Sequence, residues 1–291
     1  MAGNCWEHVL GFCCSKCNRE FNFSATEKQY CCSACGESGT LDVIFDFKFI
    51  KKHYRIPPYQ ENLEIGIARY APILPVAWKG AWNSAVRVGS TPLNLVGGLL
   101  PNCPPRTFIK NDALNPTGSL KDRASLVAVI DALYWKADNI VCASTGNAAS
   151  SIAGIAAYSK IRVNLLVPET APAAKLAQGR IYGAKVVLVK GTYDQAFDLS
   201  MQAVAAVGAY NRSTSVNPVL AEGKKTVAIE IVHELAWKVP DKIFVSVGDG
   251  CVLGGVYKGL RDLKEMGRID RIPEIYGVQA EGAAPLVAAF H

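Results

Sequence analysis

From Arg106 onward, short apolar runs alternate with longer stretches whose apolar residues recur at helical spacing. The runs at 107–110, 140–143, 163–167, 185–189 and 243–247 predict strands, and a further strand is expected around 275–279. The stretches at 119–136, 148–158, 173–182, 194–207, 224–235 and 254–266 predict helices. Regular alternation of this kind implies an α/β fold with mainly parallel sheets. Ligands of open α/β sheets sit beyond the carboxyl ends of the strands, so the residues just after each strand carry the most information. Upstream, the segment after Asp46, with Lys51, Lys52, His53 and the Pro57-Pro58 pair, is expected to be a linker.

Composition narrows the class. The chain has 291 residues, half of them hydrophobic, which is enough for more than one core. No apolar run approaches the roughly 18 residues of a membrane span. The first ten residues have no basic region ahead of an apolar stretch, so a secretory signal is not expected and the cytoplasm is. The net charge of +6 is mild and its carriers are scattered, which argues against a nucleic-acid partner. It leaves room for attraction of small anions such as phosphate esters.

Six of the ten cysteines lie in two clusters before residue 36, while Cys5, Cys103, Cys142 and Cys251 are isolated. Clustering at one end points to a metal site in a reducing compartment rather than to a disulfide framework. Cys14, Cys17, Cys32 and Cys35 form two C-x2-C pairs, the spacing of a tetrahedral zinc site. Cys13 and Cys31 leave the register open by one residue. Gly36 can take the positive φ that such a knuckle needs. The residues between the pairs suit a short hairpin. Four protein ligands would leave no open position, so the zinc would be structural.

Three segments at strand ends carry candidate chemistry. The first reads Asn-Pro-Thr-Gly-Ser-Leu-Lys-Asp-Arg at 115–123. Ser119 and Asp122 fit a capping box, which puts Lys121 in the first helical turn. The positive end of the helix dipole disfavours an ammonium there, and a neutral amine is the form that attacks an aldehyde. The second reads Ser-Thr-Gly-Asn at 144–147, where Ser144, Thr145 and backbone N–H groups suit a carboxylate and Asn147 could bond a ring substituent. The third is Gly248, Asp249, Gly250, Cys251 and Val252, a glycine-bearing turn able to aim several N–H groups at one phosphate.

Taken together, these segments resemble the lysine motif, the asparagine loop and the phosphate loop of threonine synthases, in the fold-type II pyridoxal-phosphate family. Further matches follow in order: Arg69-Tyr70, Leu74-Pro75, the segments at 89–93, 167–169 and 182–185, and Glu-Gly-Lys-Lys-Thr at 222–226. The resemblance implies two open, mainly parallel α/β domains of the tryptophan synthase β-like kind, preceded by a zinc ribbon. The ribbon is expected at 1–46, a large cofactor-binding domain at 47–128 with 222–291, and a small domain at 129–221.

The resemblance further implies a pyridoxal-phosphate-dependent carbon–oxygen lyase that converts O-phospho-L-homoserine and water to L-threonine and phosphate, with a homodimer open as its assembly. Lys121 would hold the cofactor, Asn147 would orient its ring, and residues 248–252 would anchor its phosphate. Ser144, Thr145 and Ser119 would bind the substrate, with Ser119 or Lys110 at a second anion site.

The third segment departs from the commoner Gly-Asn-Gly-Gly-Asn, and Asp249 is tolerable beside a dianion only if it points away. Three alternatives stay open: a related enzyme on another amino acid, either a cysteate synthase or a serine or threonine dehydratase, with the zinc ribbon and Asn-Pro-Thr-Gly-Ser speaking against the dehydratases; a non-catalytic pyridoxal-phosphate-binding relative, to which the altered loop points; and an incomplete chain that folds poorly. Relatives continue past the position equivalent to His291. The chain is therefore expected to be the front part of a longer enzyme, with the apolar stretch at 283–290 partly uncovered.

Overall fold

The computed structural model describes residues 7–24, 28–59, 61, 66–78, 86–99, 101–213 and 216–290. Cys5, His291 and the first six residues of the stretch read for a secretory signal lie outside the described residues.

The cysteine-rich segment builds an antiparallel sheet from β1 (Val9–Cys14), β2 (Glu20–Asn22), β3 (Cys31–Cys32) and β4 (Gly36–Phe45). The strand order is β2-β1-β4-β3. The hairpin expected between the cysteine pairs does not form: β2 folds back on β1, and β3 pairs with β4. The reason is the alternation in the outer segments. Leu41, Val43 and Phe45 share one buried face of β4 with Val9 and Phe12 of β1, so these two strands take the centre and the short ones can only add at the edges.

The expected linker contains a helix, α1 (Phe47–His53), opened by Asp46, whose Oδ1 accepts from the Phe49 N–H at 2.9 Å. Lys51, Lys52 and His53 fall in its last turn, where the dipole favours cations. A 3₁₀ stretch, Gly66–Ile73, and the antiparallel pair β5 (Leu93–Leu95) and β6 (Phe108–Lys110) follow.

The body then alternates as the periodicity predicts. Its elements are α2 (Lys121–Tyr134), β7 (Asn139–Cys142), α3 (Asn147–Ala156), β8 (Arg162–Pro168), α4 (Ala173–Ile181), β9 (Lys185–Val189), α5 (Tyr193–Val207) and β10 (Tyr210–Asn211). They continue with α6 (Val219–Glu234), β11 (Lys242–Ser246), α7 (Cys251–Glu265), β12 (Glu274–Val278) and α8 (Pro285–Phe290). Strands β10, β7, β8 and β9 form one parallel sheet in that order, and β11 and β12 pair in parallel.

Two helices start earlier than their apolar pattern suggests. α6 begins at Val219 rather than 224, and α7 at Cys251 rather than 254. Gly255 lets α7 touch α6: a Cβ there would lie 2.8 Å from Lys224 Cβ. Gly223 does the same between α6 and α2, where a Cβ would meet the Arg123 carbonyl oxygen at 2.4 Å. On the other flank of α2, the Ser151 hydroxyl of α3 bonds Ser125 at 2.7 Å. Each of these contacts lies about one turn in from the helix N-termini, so the starts of α3, α2, α6 and α7 are gathered together.

Two hydrophobic cores flank this row. One joins α2 and α3 to the four-stranded parallel sheet; the other joins β1 and β4 of the cysteine-rich sheet to α6 and α7.

Candidate functional site

Lys121 is the first residue of α2, half-buried, with its backbone N–H 3.3 Å from the Ser119 hydroxyl. The capping box expected of Ser119 and Asp122 is not made. Instead the Asp122 carboxylate accepts from the Thr117 N–H at 2.7 Å and from its hydroxyl. Asn115 holds the other end of the turn, its Oδ1 accepting from the Gly89 N–H at 2.8 Å and its Nδ2 donating to the Asp112 carbonyl at 3.0 Å. The backbone before Lys121 is thus tied at both ends, which fixes where the lysine emerges.

Beneath it lies a buried charge network. The Arg123 guanidinium, fully buried, donates to Asp112 at 2.7 and 2.8 Å, to Glu230 at 2.6 Å, and to the hydroxyls of Thr91 and Thr226. Burial works against its charge, but Glu230 and Asp112 outweigh burial and raise its pKa. A bidentate guanidinium–carboxylate pair with every proton placed is the arrangement in which a buried charge can be held. Lys110, considered from sequence for a second anion site, belongs to this network. Its ammonium donates to Glu230 at 2.9 Å, to Glu234 and to the Thr91 carbonyl at 2.6 Å. All three of its protons are taken, so it is not free for an anion.

Ser144 and Thr145 are half-buried just after β7, and Asn147 is exposed as the first residue of α3. The Ser144 hydroxyl accepts from the Gly146 N–H at 3.2 Å. Tyr193, at the start of α5, donates its hydroxyl to the Ala143 carbonyl at 3.1 Å, bracing the end of β7.

In the third segment Gly250 takes φ +78°, and Cys251 and Val252 are already helical. Asp249 does not turn away from the loop. Its Oδ1 accepts from the Cys251 N–H at 3.1 Å, so the acid occupies one of the donors expected to face a phosphate. Lys224 is a residue of this site that sequence reasoning quoted but did not assign. It is fully buried, and its Nζ has no hydrogen-bond partner. Burial lowers its pKa to about 8, with Arg212 and Lys121 adding to the fall and Asp249 opposing it. Its Cβ packs against Gly255 one turn into α7, where an added Cβ would lie 2.8 Å away.

Away from this site, the Sγ atoms of Cys14, Cys17, Cys32 and Cys35 lie within 4.8 Å of one another. Zn–S bonds of about 2.3 Å in a tetrahedron put sulfurs about 3.8 Å apart, and Cys17 and Cys32 are 3.7 Å apart. The four thiols therefore fit a zinc ion. Cys13 and Cys31 stay outside the cluster, because neighbours on a strand point to opposite faces. Backbone N–H groups of Cys17 and Lys16 hold the Cys14 thiol down at about 7, which favours the ligating thiolate. Gly36 takes φ +61°, and a Cβ at Gly39 would press within 2.6 Å of both Cys32 Cβ and Cys35 Cβ.

The starts of four helices gather at the ends of parallel α/β layers, the region of such folds where small anionic ligands are held. The family model for pyridoxal-phosphate dependent enzymes matches residues 85–291. Threonine synthase of Methanocaldococcus jannaschii is 38% identical over 95% of this chain and 67% of its own length; that of Methanosarcina acetivorans is 36% identical over 95% and 66%. Threonine synthase of Mycobacterium tuberculosis is 38% identical over 76% of this chain and 61% of its own length. This chain belongs to the pyridoxal-phosphate dependent enzyme family, among the relatives of threonine synthase.

Among solved structures, O-ureido-L-serine synthase superposes with a TM-score of 0.54 at 25% identity, covering 62% of this chain and 57% of that one. The processed form of threonine deaminase isoform 2 from Solanum lycopersicum gives 0.59 at 24% identity, covering 69% and 53%, a likeness of fold. The chain thus spans about two thirds of the curated relatives' length and little more than half of these solved chains.

Proposed function

We propose that this chain carries the cofactor site of an enzyme that converts O-phospho-L-homoserine and water to L-threonine and phosphate. The observation that carries the proposal is the placement of Lys121 at the start of α2, where the starts of α3, α6 and α7 meet it. Similarity to the threonine synthases of M. jannaschii and M. acetivorans supports the choice of substrate.

When bound, pyridoxal phosphate supplies an electron sink that makes the Cα proton of an amino acid removable. Lys121 Nζ would hold the cofactor and would move protons among Cα, Cβ and Cγ of the substrate. Asn147 would orient the ring, Ser144 and Thr145 would take the substrate carboxylate, and Ser119 would line the substrate side of Lys121. Gly248, Asp249, Gly250, Cys251 and Val252 would surround the cofactor phosphate. Pro-Thr-Gly before Lys121, tied by Asn115 and Asp122, would keep the amine at a fixed point during these transfers.

The division into a ribbon at 1–46, a large domain at 47–128 with 222–291 and a small domain at 129–221 belongs to the same proposal. So do zinc at the four cysteines and a cytoplasmic setting. The nine described cysteines are all free thiols, and among the described residues no helix is long and apolar enough to cross a membrane.

The bond between Asp249 and the Cys251 N–H favours a second reading, a cofactor-binding relative without turnover. Phosphate release separates the two. With pyridoxal phosphate present, phosphohomoserine should release phosphate and give threonine, whereas phosphoserine with sulfite should give no cysteate. Release from phosphoserine alone would move the assignment to a cysteate synthase. Binding of cofactor without release from either substrate would favour the second reading.

A further inference from the structure

The turn between β11 and α7 poses a charge problem. A phosphate monoester there would meet an acid, Asp249, and would find the Cys251 N–H already bonded to that acid. Backbone donors and the α7 dipole must then offset both a dianion and a carboxylate. One further positive charge within reach would resolve this, and α6 supplies one with no other partner.

Lys224 and Lys225 are consecutive and both fully buried. Lys225 has a structural explanation: its ammonium pairs with Glu222 at 2.5 Å and with Asp262 at 2.7 Å and lies 4.0 Å from the centre of the Phe45 ring. Lys224 points elsewhere and has no carboxylate and no hydrogen bond. A buried ammonium without a partner costs several kcal/mol, in order of magnitude, so its own fold gains nothing from keeping it charged. Its surroundings are mixed: Arg212 after β10 and Lys121 of α2 disfavour the charge, while Asp249 just ahead of α7 favours it. The Lys224 backbone packs on Gly255, one turn into α7, which sets the side chain beside the helix start.

We infer that Lys224 is an anion-binding residue, its ammonium completing the site for a phosphate monoester at the start of α7. The inference presupposes a pyridoxal-phosphate site at Lys121 and adds the cation that lets an acid-bearing turn hold a phosphate. The monoester is that of the cofactor or that of the substrate, and the two sources are separable by experiment.

The test compares the wild-type chain with Lys224→Met, which keeps the length of the side chain and removes the charge. Binding of pyridoxal phosphate and of pyridoxal, which lacks the phosphate, is measured by absorbance titration. Loss of a charge-assisted hydrogen bond should weaken pyridoxal phosphate by about tenfold to a hundredfold and leave pyridoxal within about twofold. Inorganic phosphate should compete with pyridoxal phosphate more strongly in the wild type than in the variant if the anion is the cofactor's. If instead cofactor affinity is kept and phosphohomoserine binding to the loaded protein is lost, the anion is the substrate's.

Thermal unfolding without cofactor guards against a folding artefact. Removal of an unpartnered buried charge should leave the melting temperature equal or higher, whereas a structural lysine would leave it lower. Equal weakening of both vitamers, or a lowered melting temperature with every phosphate affinity unchanged, would overturn the inference. Absence of phosphohomoserine turnover beside an intact Lys224 effect would count against the proposed reaction alone.

Discussion

Single residues here divide by whether their charge has a partner. Arg123, Lys110 and Lys225 are buried with carboxylates, while Lys224 is buried without one and Lys121 stands half-buried at a helix start. Lys121→Ala should abolish the visible absorbance of cofactor-loaded protein and leave the far-UV circular dichroism unchanged. A borohydride-reducible link retained at another lysine would show that the wrong residue has been assigned.

Lys224 makes a prediction about pH. Its pKa falls from 10.5 in the unfolded chain to about 8 in the fold. Between those values the unfolded chain binds more protons, so stability rises with pH there. The penalty of the charged lysine is therefore complete below about pH 8 and is relieved toward 10.5. Lys224→Met should melt higher than the wild type at pH 7, and the gap should close by pH 10.5. A gap independent of pH would show that packing, not charge, separates the two proteins.

Among the elements, the cysteine knuckles and the early starts of α6 and α7 are the informative cases. The knuckles are legible because two C-x2-C pairs, the second with Gly36 behind it, have few other uses. The hairpin expected between them gives way to the pairing of β1 with β4, a contact between strands more than twenty residues apart, which local pattern cannot report. Chelation should remove one zinc per chain and expose β1 to β4 to hydrogen exchange, while cofactor absorbance changes little, since a closed four-thiolate site is structural. Metal analysis finding no zinc in protein prepared without chelators would defeat this. α6 starts ahead of its apolar pattern because Gly223, a breaker by local propensity, is a contact point between helices, and α7 because Cys251 and Val252, expected in the glycine-bearing turn, are already helical.

At the scale of the whole molecule, the cysteine-rich sheet is fastened to the body by charge as well as by its core. Asp42 on β4 pairs with Lys258 at 2.6 Å and Arg261 at 3.0 Å of α7, and Lys258 also donates to the Val43 carbonyl at 3.1 Å. Burial would raise the Asp42 carboxyl, but Lys258 and Arg261 outweigh it and hold it below the usual carboxylate value. Its contribution is present above the unfolded pKa and is lost as pH falls through the lower folded value. Asp42→Asn should lower the melting temperature by a few degrees at pH 7 and speed proteolysis within residues 7–46. The difference from the wild type should vanish in acid. An unchanged cleavage rate at pH 7 would show that the apolar core alone holds the sheet in place.

The order of strands and helices, the lysine motif and the cysteine ligand spacing were all set by local sequence, because each depends on period, turn chemistry or neighbours a few residues away. Which charges have partners was decided only by the tertiary structure. Lys110, Lys224 and Lys225 look alike as letters, and Asp249 looks like an acid free to turn outward. Their differences arise from α6 lying between α2 and α7, which brings Glu230 to Arg123 and Asp262 to Lys225 and leaves Lys224 buried without a partner beside Gly255 of α7. Those encounters join residues tens of positions apart, and the energy of a buried charge depends on such neighbours rather than on its own sequence.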